Sequence, residues 1–302
     1  MVLGIPYALG VSLATAAAII FAVQYIFVRL GSDGGRVDDM VLVSLLTNVA
    51  LMAGLTVVVH GIPTMPIESI PAFAAAGIAG SFLARVCMFK SVETIGASRT
   101  SPVVSANVFF ATILAVILFG ERLTGVHAIG IVLIVAGVAM ISYETAHDAD
   151  PDASIRELGV SLALPLLAAL FLGFEPIFVT MGLDAGSPVL PGVAIKAIAA
   201  TIGFLGYLLA TGRFSTRSLR WDPYMKWYLG AGVTSAIAIA TFFAALEAAP
   251  VVIVVPLLQT APLLVVIFSF FLLPQRLETI TWRLVVGAVV VVIGAMIVSV
   301  MG

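Results

Sequence analysis

An all-α membrane protein of ten transmembrane helices, built as two inverted five-helix repeats, is the fold class this sequence predicts. Three observations carry that prediction. The chain is 62% hydrophobic and only 10% charged over 302 residues, and its mean hydropathy is +1.21. A soluble domain is near half apolar and about a quarter charged, so too few charges are present to coat a water-facing surface. The apolar residues lie in long unbroken stretches separated by short polar breaks, which is the pattern of helical spans and not the alternating pattern of a membrane β-barrel. Finally, the second half of the chain repeats the first.

Each element follows from where the apolar runs begin and end. Helices are predicted near 8–30, 40–60, 71–95, 101–119, 125–143, 158–182, 189–211, 225–247, 251–273 and 281–300. Inside lipid a helical backbone is required, because every amide must find its partner within the segment. The N-terminal apolar run continues to Val28 without a basic leader, so it reads as a retained first helix and not a cleaved signal. Gly34-Gly35, Gly61 to Pro66, Gly186 to Pro188 and Pro250 mark connections. The most polar stretch, 144–157, reads as a solvated linker between a first unit, 1–143, and a second, 158–302.

An offset of 154 pairs Glu93 with Glu247, Ser105 with Gln259, and Arg122-Leu123 with Arg276-Leu277. The helix carrying Asn107 and Phe119, which opens at Pro102, then aligns with one that opens at Pro256. A further shift of three pairs Gly130 and Gly137 with Gly287 and Gly294. Near the front of each half, Ile26-Phe27-Val28 and Gly31 match Ile177-Phe178-Val179 and Gly182, a register that sets Gln24 opposite Glu175. Five helices per half is an odd number, so the second copy enters the bilayer from the opposite side. Inverted repeats with a site at their interface recur among transporters.

Ionisable and polar residues inside the spans are costly there and are the candidate site. Glu175 lies seven residues before the end of the sixth predicted helix and Lys196 seven after the start of the seventh. At 1.5 Å rise per residue both sit about 10 Å from the same face, so a Glu175–Lys196 pair is expected. It reads either as a substrate or proton site or as a structural ion pair. Pro176 removes an amide donor, so the carbonyl of Leu172 loses its partner and the helix is weakened beside the acid. Arg85 lies mid-span and reads as a holder of an anionic group or as a snorkelling side chain. Lys90 and Glu93, three apart on one face, read as a local pair. Gln24, Asn48, Asn107 and Gln259 read as cavity groups or as interhelical hydrogen-bonding groups. The paired glycines, seven apart, mark a close helix contact within the chain or in a homodimer.

Other chemistry finds no footing. Cys87 is the sole cysteine, so no intramolecular disulfide forms. His60, His127 and His147 fall at helix ends or in the linker and form no metal constellation, and no phosphate loop, zinc motif or nucleophilic set stands out. No cofactor is expected, and a net charge of −2 without a polybasic tail argues against nucleic acid.

The run Pro102-Val103-Val104, Leu118-Phe119-Gly120-Glu121-Arg122-Leu123-Thr124, Gly130 and Ala136-Gly137-Val138 resembles the signature of EamA-like members of the drug/metabolite transporter superfamily. The second half repeats it as Pro256-Leu257-Leu258, Pro274-Gln275-Arg276-Leu277, Gly287 and Gly294, with Pro274-Gln275 in place of the usual Gly-Glu. The resemblance spans nearly the whole chain. It implies a secondary carrier in the cell membrane that moves a small metabolite or drug-like molecule, commonly as exporter or exchanger, with a proton or ion as possible coupling partner. A channel or lipid-translocating protein and a membrane-embedded enzyme are the alternatives. Ten of the 14 basic residues fall on the face of the odd-numbered loops, against Arg122 on the other. The positive-inside rule then places both termini outside, whereas the resemblance implies cytoplasmic termini.

Overall fold

A computed structural model of the protein describes residues 4–61, 65–119, 125–149, 155–214, 221–248, 254 and 257–301. Among these the regular structure is helical throughout, with no strand. Helix α1 spans Gly4–Ser32, α2 Val37–His60, α3 Ser69–Ile95, and α4 is split into Ala97–Val104 and Asn107–Phe119. α5 (Gly125–Ala149) completes the first half, and the second half supplies α6 (Ile155–Asp184), α7 (Val189–Ala210), α8 (Met225–Ala248), α9 (Ala261–Leu272) and α10 (Trp282–Met301). Among the described residues seven helices are long and apolar enough to cross a bilayer, and the apolar stretches Gly125–Ile141, Ala261–Leu272 and Trp282–Val298 accompany them. Large exposed apolar side chains such as Ile117, Ile202 and Phe271 are normal for a surface that lipid solvates.

The packing is built from close approaches at glycine. A Cβ placed on Gly130 would lie 2.9 Å from the carbonyl oxygen of Gly294, and one on Gly137 would lie 2.8 Å from that of Gly287. Sequence order is reversed between these contacts, so α5 and α10 run antiparallel with backbones nearly touching. The repeat that carries Gly130 onto Gly287 and Gly137 onto Gly294 carries this pair of contacts onto itself. A second pair obeys the same relation. A Cβ on Gly31 of α1 would lie 3.3 Å from the ring of Tyr228, and one on Gly182 of α6 would lie 2.6 Å from the ring of Phe73. Both rings are fully buried near the start of their helices, α8 and α3.

Both halves also contain a broken helix. α4 is interrupted at Ser105–Ala106, and α9 is preceded by a turn at Gln259–Thr260, an offset of 154. The backbone bonds around the breaks repeat with that offset. The amide of Ala106 donates to the Val103 carbonyl at 3.1 Å, as Thr260 does to Leu257 at 3.1 Å. Phe109 donates to Ala106 at 3.0 Å, as Leu263 does to Thr260 at 3.0 Å. These i→i−3 bonds tighten the chain locally and let the helix change direction.

Several expectations are corrected. α4 begins at Ala97 and passes through Pro102, so the interruption falls three residues later than the proline. The side chain of Glu278 accepts the first amides of the helix, those of Ala97 and Ser98, and thereby fixes its start ahead of the proline. Pro176, like Pro165, lies within a continuous α6. Most of the stretch read as a solvated linker is helical, since α5 runs to Ala149 and α6 starts at Ile155, and Glu144 is buried. Pro256 lies outside the described residues. Lys90 and Glu93 make no ion pair with each other; instead Thr94 bonds to the Lys90 carbonyl and Arg29 to that of Glu93.

Candidate functional site

The middle of the helix bundle holds a small cavity lined by Leu45, Asn48 and Met52 of α2, Ser81 and Arg85 of α3, Val193, Lys196 and Ala197 of α7, and Ile239 of α8. These helices are repeat mates, α2 with α7 and α3 with α8, so the cavity sits where the halves meet. The pairing extends to single residues. The 154 offset sets Ser81 against Ser235 and Arg85 against Ile239, and the 151 offset of the first helices sets Leu45 against Lys196. Each half therefore contributes one cation, and each cation has an aliphatic mate in the other half.

Lys196 is buried, and its ammonium donates to the Glu175 carboxylate, whose side chain is 22% exposed. The local fold of α3 makes room for this pair. Residues Gly77–Leu83 form a π-helical segment, a bulge that rotates the following side chains relative to an α-helix. Gly77 lies directly under the Lys196 backbone and Gly80 directly under the Glu175 carboxylate, so a side chain at either would collide. The bulge also aims Arg85 inward. Its guanidinium donates to Ser44 Oγ of α2 at 3.3 Å and to Ser235 Oγ of α8 at 3.0 Å. Arg85 thus does not snorkel: it is 7% exposed and bridges three helices. Asn48 donates to the Ser44 carbonyl at 2.9 Å and to the Gly232 carbonyl at 3.3 Å, which ties α2 to α8 on the cavity wall.

The remaining sequence candidates lie elsewhere. Gln24 is buried in α1 and is not a cavity-lining residue. Asn107 opens the second segment of α4 beside Gly173 of α6, and its Oδ1 is buried without a partner among the described residues. Gln259 is half-buried at the second helix break. Ser44, Ser81 and Ser235 were not singled out from sequence, yet the 154 offset pairs the last two and was a usable signal.

A second polar cluster joins the C-terminal ends of α1 and α3, the start of α4 and the segment between α9 and α10. Glu278, its side chain 1% exposed, accepts from the amides of Ala97 and Ser98, the latter at 3.1 Å, and lies 3.7 Å from Arg29 Nε. Arg29 in turn donates to the carbonyls of Val92, Glu93 and Leu277. Gly96 turns the chain at φ +91°, a left-handed conformation, and a Cβ there would lie 2.9 Å from the Glu278 carboxylate. Behind this cluster, Ala97 of α4 and Val265 of α9 share one buried core. Beyond the helix breaks the two diverge. Phe109 and Phe110 of α4 pack toward Ile134 of α5 and Ala295 of α10, whereas Val254 and Leu257 pack toward Ala14 of α1 and Ala245 of α8.

Comparison with known proteins bears on the whole chain. The family model described as the EamA-like transporter family matches twice, over residues 8–143 and 158–300. A curated relative, the probable 4-amino-4-deoxy-L-arabinose-phosphoundecaprenol flippase subunit ArnF of Proteus mirabilis (strain HI4320), is 38% identical over 71 residues, 23% of this chain. The match spans about half of that relative, 53% of its length. A solved crystal structure superposes with a TM-score of 0.63 at 14% identity, covering 96% of each chain, and so shares the fold.

Proposed function

The chain belongs to the EamA-like transporter family, a multi-pass integral membrane protein built for transport, and from that premise we propose that it is a secondary carrier working by alternating access. On this reading ten helices span the bilayer as two inverted five-helix repeats, and residues 144–157 join the first unit, 1–143, to the second, 158–302. The antiparallel, self-symmetric contact of α5 with α10 supports the inversion. The observation that carries the proposal is the cavity at the repeat interface, lined by both cations and flanked by Glu175. Matched helix breaks in the two halves strengthen it, since such breaks mark where carrier helices bend around a site.

The cavity is narrow, with about 10 Å³ accessible, the room of roughly one water. Metabolite sites take about 300 Å³ or more, so loading requires the halves to part. The divergence of α4 and α9 past their breaks supports access from the face opposite Glu278, while the Glu278 cluster closes its own face. Glu175 is the residue assigned to proton linkage: protonation cancels its charge and releases Lys196. The transported compound is a small metabolite or drug-like molecule, exported or exchanged.

Metabolite profiles of cells lacking and overproducing the protein identify the transported compound, and counterflow of that compound in reconstituted vesicles tests the mechanism. Saturable counterflow whose pH dependence disappears in Glu175→Gln is the expected result. Unchanged transport with unchanged pH dependence in that variant removes the proton role, and flux without saturation or counterflow removes the carrier. Similarity to a flippase subunit favours a second reading, lipid translocation. Outer-leaflet quenching of a fluorescent lipid in the same vesicles separates the two, because only a lipid translocator renews the quenched pool.

A further inference from the structure

We infer that the occupant of this cavity is a small organic anion whose carboxylate is seated between Arg85 and Lys196. The inference rests on the carrier reading above and deepens it to a substrate class. Two buried cations, Arg85 at 7% exposure and Lys196 at 6%, line one narrow space. One carboxylate, Glu175, is paired with Lys196. Among the described residues the Arg85 guanidinium meets only the hydroxyls of Ser44 and Ser235. Among the described residues it makes no ion pair with Glu175, whose carboxylate is held by Lys196. A guanidinium has five donors in a rigid fork that matches a carboxylate, and two neutral hydroxyls do not balance its charge. An isolated charge in a low-dielectric interior is costly unless a counter-ion joins it.

The charge sum gives the valence. With Glu175 ionised the group carries one excess positive charge, which a single carboxylate neutralises. The neighbouring walls are Leu45, Met52, Val193 and Ile239, so the remainder of the molecule meets apolar surface. In this arrangement Glu175 is an internal competitor: its carboxylate occupies Lys196 when the site is empty, and the incoming anion must share or displace that contact. A purely structural ion pair would not behave in this way.

Binding to purified protein in detergent tests the assignment without requiring transport, so a failure here is distinct from a failure of the carrier reading. The probes are acetate, lactate and benzoate, with lactamide, benzamide and benzylamine as uncharged or cationic counterparts, read by thermal unfolding. The carboxylates should raise Tm and the counterparts should not. Arg85→Gln should weaken carboxylate binding on the order of 10–100-fold, the worth of hydrogen bonds to a charged group. Arg85→Lys, which keeps the charge, should retain the selectivity with reduced affinity and stands in if the glutamine variant does not fold. Glu175→Gln should tighten carboxylate binding by about tenfold or more, because a competing negative charge is removed. Equal stabilisation by the amides, no response to any of the carboxylates, or weaker binding in Glu175→Gln would overturn the assignment. So would stabilisation by phosphatidylglycerol over phosphatidylcholine in nanodiscs with no response to the free acids, which would make a lipid headgroup the occupant.

Discussion

Replacing Glu278 with Gln tests the closure of the basic face. The carboxylate accepts two helix-start amides and faces Arg29 Nε at 3.7 Å, with its own side chain 1% exposed. Removing one partner of a buried charged pair costs about 3–5 kcal/mol. Glutamine keeps the size and one acceptor oxygen, so we take the lower bound of about 3 kcal/mol. Opening this face on the proposed cycle separates α4 from the connection carrying Glu278, so the interaction belongs to the closed state alone. Its loss should then favour the open state by up to about 150-fold. Cys87 is the sole cysteine, so a Cys87→Ser background carries one reporter, Val104→Cys, at a buried position of the first α4 segment. Labelling by a membrane-impermeant maleimide from the basic face should accelerate by up to two orders of magnitude in Glu278→Gln. A lowered Tm with unchanged labelling would refute the reasoning, because Glu278 would then serve the fold and not the closure.

Asp33→Asn is the contrast on the same face: its pair with Arg276, at 2.7 Å, is exposed at 32% and 69%, so Tm and labelling should move by less than the equivalent of about 1 kcal/mol. Gly137→Leu should destabilise by about 2–4 kcal/mol, read as a fall in Tm, because even a Cβ there meets the Gly287 backbone at 2.8 Å. Ser235→Ala removes a hydroxyl from the buried Arg85 and should lower Tm by the equivalent of about 1.5–3 kcal/mol, with recovery when acetate is added. Gly80→Ala should displace the Glu175 carboxylate from its seat and alter the pH dependence of transport as Glu175→Gln does, read by counterflow.

Much of this arrangement was legible because lipid imposes strict rules on sequence. Apolar run lengths located the helices seen among the described residues, and the residues paired by the 154 offset carry matching backbone bonds at the two breaks. Equal distances of Glu175 and Lys196 from their helix ends placed both at one depth. The glycine spacing of seven signalled a close helix contact, within the chain or in a homodimer, and the structure shows α5 against α10 within the chain. What was missed depended on tertiary neighbours. Glu278 was not singled out, since nothing local reveals that it meets the start of α4. Arg29 was counted among loop charges for the same reason, although its side chain is only 14% exposed. Pro102 marked the start of α4 too late, because a cap from a distant connection begins the helix at Ala97. Serines in membrane helices are common, so Ser44 carried no signal, and Ser235 carried only its repeat match to Ser81.

The unequal count of charges around the cavity has an electrical consequence. On the proposed cycle, rocking of the two halves would admit water to the fixed cations first from one face and then from the other, which is equivalent to moving charge through the transmembrane field. One elementary charge crossing 100 mV is worth about 2.3 kcal/mol. The empty carrier should therefore reset at a voltage-dependent rate, and the carrier holding a monoanion should scarcely feel the potential. A cell could thus bias this protein toward exchange over one-way flux by its resting voltage alone.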